Sequence, residues 1–200
     1  MGIQQIALFD DEKVSKIPGL TYIPEFIDQE TEQHLINIID KQSWITDLKR
    51  RVQHYGYRYD YKDRNVTPDL KLGNIPEWLM SYCKRLQREG FFKQSPDQVI
   101  INEYHPGQGI APHIDCAPCF GETIASLSLG SACLMNFPHL KTKQTETQLL
   151  EQCSLVVLSN EARYEWQHSI APRKTDKING ENIPRKRRLS LTFRTVLLKT

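Results

Sequence analysis

The heptapeptide RLSLTFR, Arg188 to Arg194, alternates without a break. Arg188, Ser190, Thr192 and Arg194 share one parity, and Leu189, Leu191 and Phe193 share the other. Successive side chains of a strand point to opposite faces. As a strand, this segment therefore presents an apolar face to a core and, on the other side, two guanidinium groups and two hydroxyls. Burying that second face costs free energy for each arginine unless an anion meets it. The chain must therefore fold so that a sheet packs a core on one side and encloses an anion-accepting interior on the other.

Strands of this length recur from about Gln98 onward. QVIINEY, ASLSLG, ACLMNF, CSLVVL and RLSLTFRTVLL are short, apolar or β-branched, and separated by turn residues. Strands in series without intervening helices predict antiparallel sheets, either a sandwich or a jelly roll. Two helices are predicted upstream. One follows Asp28 as cap and carries Leu35, Ile38 and Ile39 on one face. The other starts with Pro76 at its first position, carries Leu79, Tyr82, Cys83 and Leu86, and stops at Gly90. The polar, aromatic stretch between them predicts a loop or hairpin. Two hundred residues suit one domain. The expected class is α+β: residues 1–97 form a helical extension with a lid, and residues 98–198 form the β-core.

Composition excludes some function classes. With 39% hydrophobic and 25% charged residues, and no internal repeat, the chain is not of a disordered or fibrous type. A formal charge of +2 does not require a polyanionic partner, although Arg185, Lys186, Arg187 and Arg188 concentrate positive charge. No stretch approaches the roughly 20 apolar residues that span a bilayer. Five cysteines, an odd number, and acidic Asp10, Asp11 and Glu12 where a signal peptide needs a basic start lead to the expectation of a reducing, intracellular location, cytoplasmic or nuclear. A monomer with no membrane partner is expected.

The segment NEYHPGQGIAPHID breaks regular structure with two glycines and two prolines directly before a His-x-Asp pair. In an extended strand His113 and Asp115 point to the same side. A third candidate ligand, His168, stands in RYEWQHSIAPR. Two imidazoles and a carboxylate form the facial triad of a mononuclear non-haem Fe(II) centre, which leaves coordination positions open. Zinc hydrolases use the same donors, so the triad alone does not choose the metal. The arginines of the last strand favour the iron reading, because a dicarboxylate meets them and the planar fork of arginine holds a carboxylate bidentately. Asn102 and Tyr104 share a face of the strand INEY and add an amide and a phenol.

In RRVQHYGYRYDYKDR, Tyr55, Tyr57, Tyr59 and Tyr61 follow one another at two-residue spacing among Arg50, Arg51, Arg58 and Arg64. Stacking surfaces between cations suit unpaired or flipped bases. A tyrosine-rich hairpin packed for stability is the alternative. Cys116 and Cys119 form a C-x-x-C with no further ligands nearby, and are expected to be two reduced loop cysteines.

The set N-x-Y, H-x-D, a distant His and a closing R-x-S-x-T-F-R resembles the AlkB family of Fe(II)- and 2-oxoglutarate-dependent dioxygenases over about residues 98–196. RRVQHYGYRYDY, INEYHPGQGIAPHID, SLSLGS and ARYEWQH are most similar to its branch that hydroxylates modified wobble uridines in tRNA. The resemblance implies a double-stranded β-helix and iron held by His113, Asp115 and His168. O2 and 2-oxoglutarate are the implied co-substrates. Arg188 and Tyr104 would hold the distal carboxylate, Arg194 and Asn102 would lie nearer the metal, and Ser190 and Thr192 would line the same site. Arg51, Tyr55, Tyr57, Arg58 and Tyr59 would contact substrate as part of a nucleotide-recognition lid. The implied partner is nucleic acid, tRNA or another RNA. Demethylation repair of N-alkylated bases is an alternative, made less secure by Ala117 where repair enzymes carry a second acid. Oxidation of a protein side chain is another.

Overall fold

The computed structural model describes residues 16–47 and 49–198. Among them the chain runs through β1 (Leu20–Ile23), α1 (Gln29–Asp40), β2 (Val52–Tyr55), a 3-10 turn (Pro68–Leu70), α2 (Glu77–Arg88), β3 (Gln98–Tyr104) and β4 (Ile110–His113). It continues through β5 (Ile124–Gly130), β6 (Cys133–Pro138), β7 (Thr145–Leu150), β8 (Leu155–Leu158), the short α3 (Asn160–Tyr164), β9 (His168–Ile170), β10 (Thr175–Ile178), β11 (Glu181–Pro184) and β12 (Arg188–Arg194).

Three antiparallel sheets result. The largest has the order β1-β8-β5-β12-β3-β2, a second has β4-β9-β6-β7, and β10 pairs with β11 as a separate hairpin. β12 is central, with Leu191 opposite Ile101 of β3 on one side and Leu127 of β5 on the other. β1 and β2 add to the edges of the sheet whose centre is built after residue 98.

The parity of β12 sorts the interior into two halves. Leu189, Leu191 and Phe193 join Ala125, Leu127 and Leu129 of β5 in a cluster that includes Leu35 and Ile39 of α1 and Leu79, Cys83 and Leu86 of α2. Both helices therefore cover this face of the large sheet. Each such leucine or isoleucine, at most 1% exposed, contributes roughly 1.5–3 kcal/mol. The opposite face looks toward the smaller sheet across a second cluster, containing Met135 and Phe137 of β6, Val156 of β8 and Ile170 of β9. The polar residues of β12 face this second interior. The two facing sheets form the jelly-roll core expected from the strand series.

Local signals account for the helix ends. The Asp28 carboxylate accepts from the Thr31 backbone N–H at 2.7 Å and caps α1. Glu32, buried in the first turn, accepts from the Gly130 N–H at 2.7 Å and fastens α1 to the end of β5. Pro76 caps α2 rather than occupying its first turn, and Gly90 leaves the helix with φ of +83°. Among the described residues no helix is long and apolar enough to cross a membrane.

Candidate metal centre

β4 and β9 pair antiparallel with His113 directly opposite His168, and the two imidazole rings lie 4.3 Å apart. The pairing depends on Gly109, because a side chain there would run into the Ile170 carbonyl. Asp115 does not continue the strand as expected: β4 ends at His113, and the carboxylate reaches the site from the loop beyond. Its Oδ1 lies 3.5 Å from His113 Nε2 and 3.8 Å from His168 Nε2. One ligand atom from each of the three residues lies within 4.8 Å of the others.

The ionisation states suit a divalent cation. His113 Nδ1 is 2.8 Å from the Ala111 carbonyl. That oxygen can only accept, so the hydrogen belongs on Nδ1 and Nε2 keeps its lone pair. Burial pushes the His168 imidazole down to about 4, against the opposing pull of Asp115. It is neutral at pH 7, as ligation requires. Burial alone would raise the Asp115 carboxyl. The Arg194 charge beside it instead holds it well below the usual carboxylate range. Arg194 Nε donates to Asp115 Oδ2 at 2.9 Å, and its Nη1 donates to Gln98 Oε1 at 3.2 Å.

Beneath this loop lies a residue that the sequence reading missed. Arg163 of α3 is 2% exposed. Its guanidinium donates to the main-chain carbonyls of Asp115 (2.9 Å), Gly121 (3.3 Å), Phe120 (3.4 Å) and Cys116 (3.5 Å). It fixes the backbone that presents the carboxylate.

The triad opens into a cavity of about 310 Å³, near the small end of the range for small-molecule sites. All four polar residues of β12, Arg188, Ser190, Thr192 and Arg194, line it, as do Asn102 and Tyr104 of β3. Arg188 is 3% exposed. Its Nη2 donates to Ser128 Oγ at 2.8 Å, and its guanidinium lies 5.7 Å from the Tyr104 ring. Its Nε and Nη1 are buried without any partner. A buried guanidinium with two unsatisfied donors marks a place for an anion such as a carboxylate. Ser190 Oγ is 2.8 Å from Ser126 Oγ, and Asn102 Oδ1 accepts from Arg50 Nε at 2.8 Å.

Of the expected lid contacts, the structure brings only Tyr59 into the cavity, joined by Arg50, Tyr61 and Arg64. Regular alternation ends with β2 at Tyr55, and Gly56 turns the chain with φ of +77°. Tyr55 packs edge-on against Trp78 of α2, on the helix side of the sheet. Tyr57 lies near Lys71. Arg58, exposed, is 3.8 Å from Asp47, and Arg51 binds Glu103 and stacks on Trp44. The basic run is also largely engaged: Arg185 is buried against Asp176, and Arg187 pairs with Asp40 and Glu103. Cys116 and Cys119, expected as reduced loop cysteines, are instead joined in a disulfide. The turn Cys116–Phe120, closed by N–H bonds from Cys119 and Phe120 to the Cys116 carbonyl, brings the two sulfurs together.

A sequence model of the 2OG-Fe(II) oxygenase superfamily matches residues 19–194. The chain is 40% identical over 171 residues to mouse tRNA (carboxymethyluridine(34)-5-O)-methyltransferase ALKBH8, covering 82% of this chain and 26% of that one. It therefore spans about a quarter of the length of that relative. It is 30% identical over 179 residues to mouse alpha-ketoglutarate-dependent dioxygenase alkB homolog 7, mitochondrial, covering 86% of this chain and 76% of the relative. Among solved structures, that of OsALKBH1 superposes with a TM-score of 0.66 at 18% identity, over 89% of this chain and 97% of that chain, a likeness of fold. With a superfamily match over nearly the whole described chain and AlkB homologues among its relatives, this protein belongs to the 2OG-Fe(II) oxygenase superfamily and is an AlkB-type 2-oxoglutarate-dependent dioxygenase.

Proposed function

We propose that the chain hydroxylates a carbon-linked substituent of a wobble uridine in tRNA. The observation that carries this reading is the joint lining of one cavity. His113, Asp115, His168 and Arg188, two of whose donors lack a partner, share it with Tyr59, Tyr61, Arg50 and Arg64, and among the described residues its one carboxylate is that of Asp115. A cavity whose free charges are cationic, beside aromatic rings, suits a base carrying or flanked by negative charge. The relative ALKBH8 is named for a carboxymethylated uridine of tRNA, which agrees with such a substrate.

The enzyme takes Fe(II), 2-oxoglutarate and O2. In this reading His113 Nε2, Asp115 Oδ1 and His168 Nε2 hold the metal. With iron bound, decarboxylation of 2-oxoglutarate to succinate is coupled to oxygen insertion into a substrate C–H bond. The chain's own residues supply the rest. Arg188 and Tyr104 fix the distal carboxylate of the co-substrate, Ser128 orients Arg188, and Arg194 holds Asp115 ionised and in place. Tyr59 and Tyr61, edge-to-face at 5.0 Å, flank the entering base. Arg50, with Asn102 as its partner, and Arg64 meet its negative charge.

Demethylation of N-alkylated bases is the second reading. It is disfavoured by Ala117, which is exposed and offers no acid to read a cationic lesion. The test is incubation with tRNA bearing a carboxymethyl-type wobble uridine and, separately, with N-methylated oligonucleotides, following each nucleoside by mass. Gain of one oxygen on the uridine without formaldehyde is expected. Formaldehyde from the methylated oligonucleotide, with the tRNA untouched, would transfer the assignment to repair.

A further inference from the structure

We propose that Cys116 and Cys119 form a reversible dithiol–disulfide modification site that controls how tightly the lid segment around Arg64 is held over the cavity. The two sulfurs, joined as a disulfide, both lie 3.3 Å from the Arg64 main-chain carbonyl oxygen, more than 50 residues away in sequence. Among the described residues no other donor reaches that oxygen. As thiols, both cysteines can donate an S–H to it. As a disulfide neither carries a hydrogen, and the carbonyl faces sulfur lone pairs instead. The redox state therefore decides whether this contact is attractive.

On the lid side, the peptide that carries the Arg64 carbonyl is held by the Asn65 N–H bond to the Asp60 carbonyl at 3.3 Å, a bond within the lid itself. On the cysteine side, Arg163 holds the carbonyls of Asp115, Cys116, Phe120 and Gly121, so the loop that presents the carboxylate is pinned independently of the sulfurs. Arg64 has φ of +51°, a conformation that a non-glycine residue adopts only when its surroundings hold it there. Its side chain lines the cavity, as does Cys116. Loss of two donors at its carbonyl thus loosens a cavity wall without displacing Asp115. The remaining cysteines, Cys83, Cys133 and Cys153, are buried and unpaired, whereas Cys116 is half-buried and within reach of a reagent.

The exchange is balanced by small thiols. Glutathione disulfide accepts two electrons from the dithiol: Cys116 and Cys119 lose their S–H protons, one protein S–S bond forms, and two glutathione molecules leave. A dithiol reductant reverses this and departs as its own disulfide.

The experiment poises the full chain in glutathione and glutathione disulfide mixtures, counts free thiols by alkylation and mass, and follows hydrogen exchange of residues 57–66. The reduced state is expected to exchange about 3- to 10-fold more slowly in this segment, the effect of one or two weak hydrogen bonds. Cys116→Ser/Cys119→Ser keeps two donors without cross-linking and should match the reduced state at every poise. Cys116→Ala/Cys119→Ala, with neither donor, should match the oxidised state. Equal exchange in the two wild-type states, or a pair that stays dithiol across the whole range, would overturn the proposal, and both are read on wild-type protein alone. The functional consequence rests on the tRNA reading above. Tighter tRNA binding when reduced supports both, whereas a redox-dependent lid with unchanged tRNA binding would count against that reading and leave the switch intact.

Discussion

Replacing Arg188 by methionine should weaken co-substrate binding while stabilising the co-substrate-free protein. Arg188 is almost fully buried and spends one donor on Ser128, leaving Nε and Nη1 without partners. An unsatisfied buried donor costs about 1–3 kcal/mol, while the one bond to Ser128 returns about 0.5–1.5 kcal/mol. Methionine removes both and fills a similar volume, so the ligand-free variant should gain on the order of 1 kcal/mol. For a chain of this size that is about 2–4 °C in Tm. With 2-oxoglutarate the sign reverses. Charge-assisted hydrogen bonds are worth about 1.5–3 kcal/mol each, so losing two of them should raise Kd at least about 100-fold. Arg188→Lys keeps the charge but not the fork, and should cost about 10-fold or more. The assay is thermal melting of the metal-loaded protein across a 2-oxoglutarate titration, where wild-type Tm climbs with the logarithm of concentration and the methionine variant stays flat. A variant that melts lower without ligand and still climbs like wild type would refute the assignment of Arg188 as the carboxylate anchor.

Arg163→Met should strip donors from four main-chain carbonyls at once and destabilise the fold by about 3 kcal/mol or more in denaturant titration; wild-type stability would show that the clamp is dispensable. The histidines predict a pH response of the metal-free protein. Burial pushes His54 from its ordinary 6.5 down to about 4, with Arg194 and Arg58 adding to the shift. Below pH 6.5 the unfolded chain therefore takes up a proton that the folded chain refuses until about pH 4. Stability falls through that window by up to about 3 kcal/mol, and His54→Gln should flatten this part of the Tm-against-pH curve. An unchanged slope in the variant would place His54 in water.

The β-core was legible because parity survives burial. In β12 and β3 every second residue faces the cavity, so the polar set of the site could be read directly from the alternation of RLSLTFR and INEY. Parity failed where strands end. Asp115 lies beyond β4 and reaches the triad through a loop pinned by Arg163, and Tyr55 and Tyr57 lose their common face at Gly56. β7, β10 and β11 escaped the reading because β11 is exposed throughout, β7 and β10 are only partly buried, and none carries an apolar period. β1 and β2 are four-residue edge strands whose pairing depends on β8 and β3, far along the chain. Arg163 and Ser128 stand within ARYEWQH and SLSLGS, but nothing in those stretches states their roles, which depend on carbonyls and a guanidinium brought near only by the fold. A C-x-x-C likewise does not state its own redox partner.

Turnover of 2-oxoglutarate to succinate by the purified, Fe(II)-loaded protein without substrate tests the metal centre most directly. Slow succinate formation is expected from wild type, and none above background from His113→Ala, Asp115→Ala or His168→Ala. Asp115→Ala should in addition lower stability by about 3–5 kcal/mol, because it leaves Arg194 buried without its carboxylate. Wild-type turnover in any one of the three variants would contradict the assignment of the triad as the metal centre.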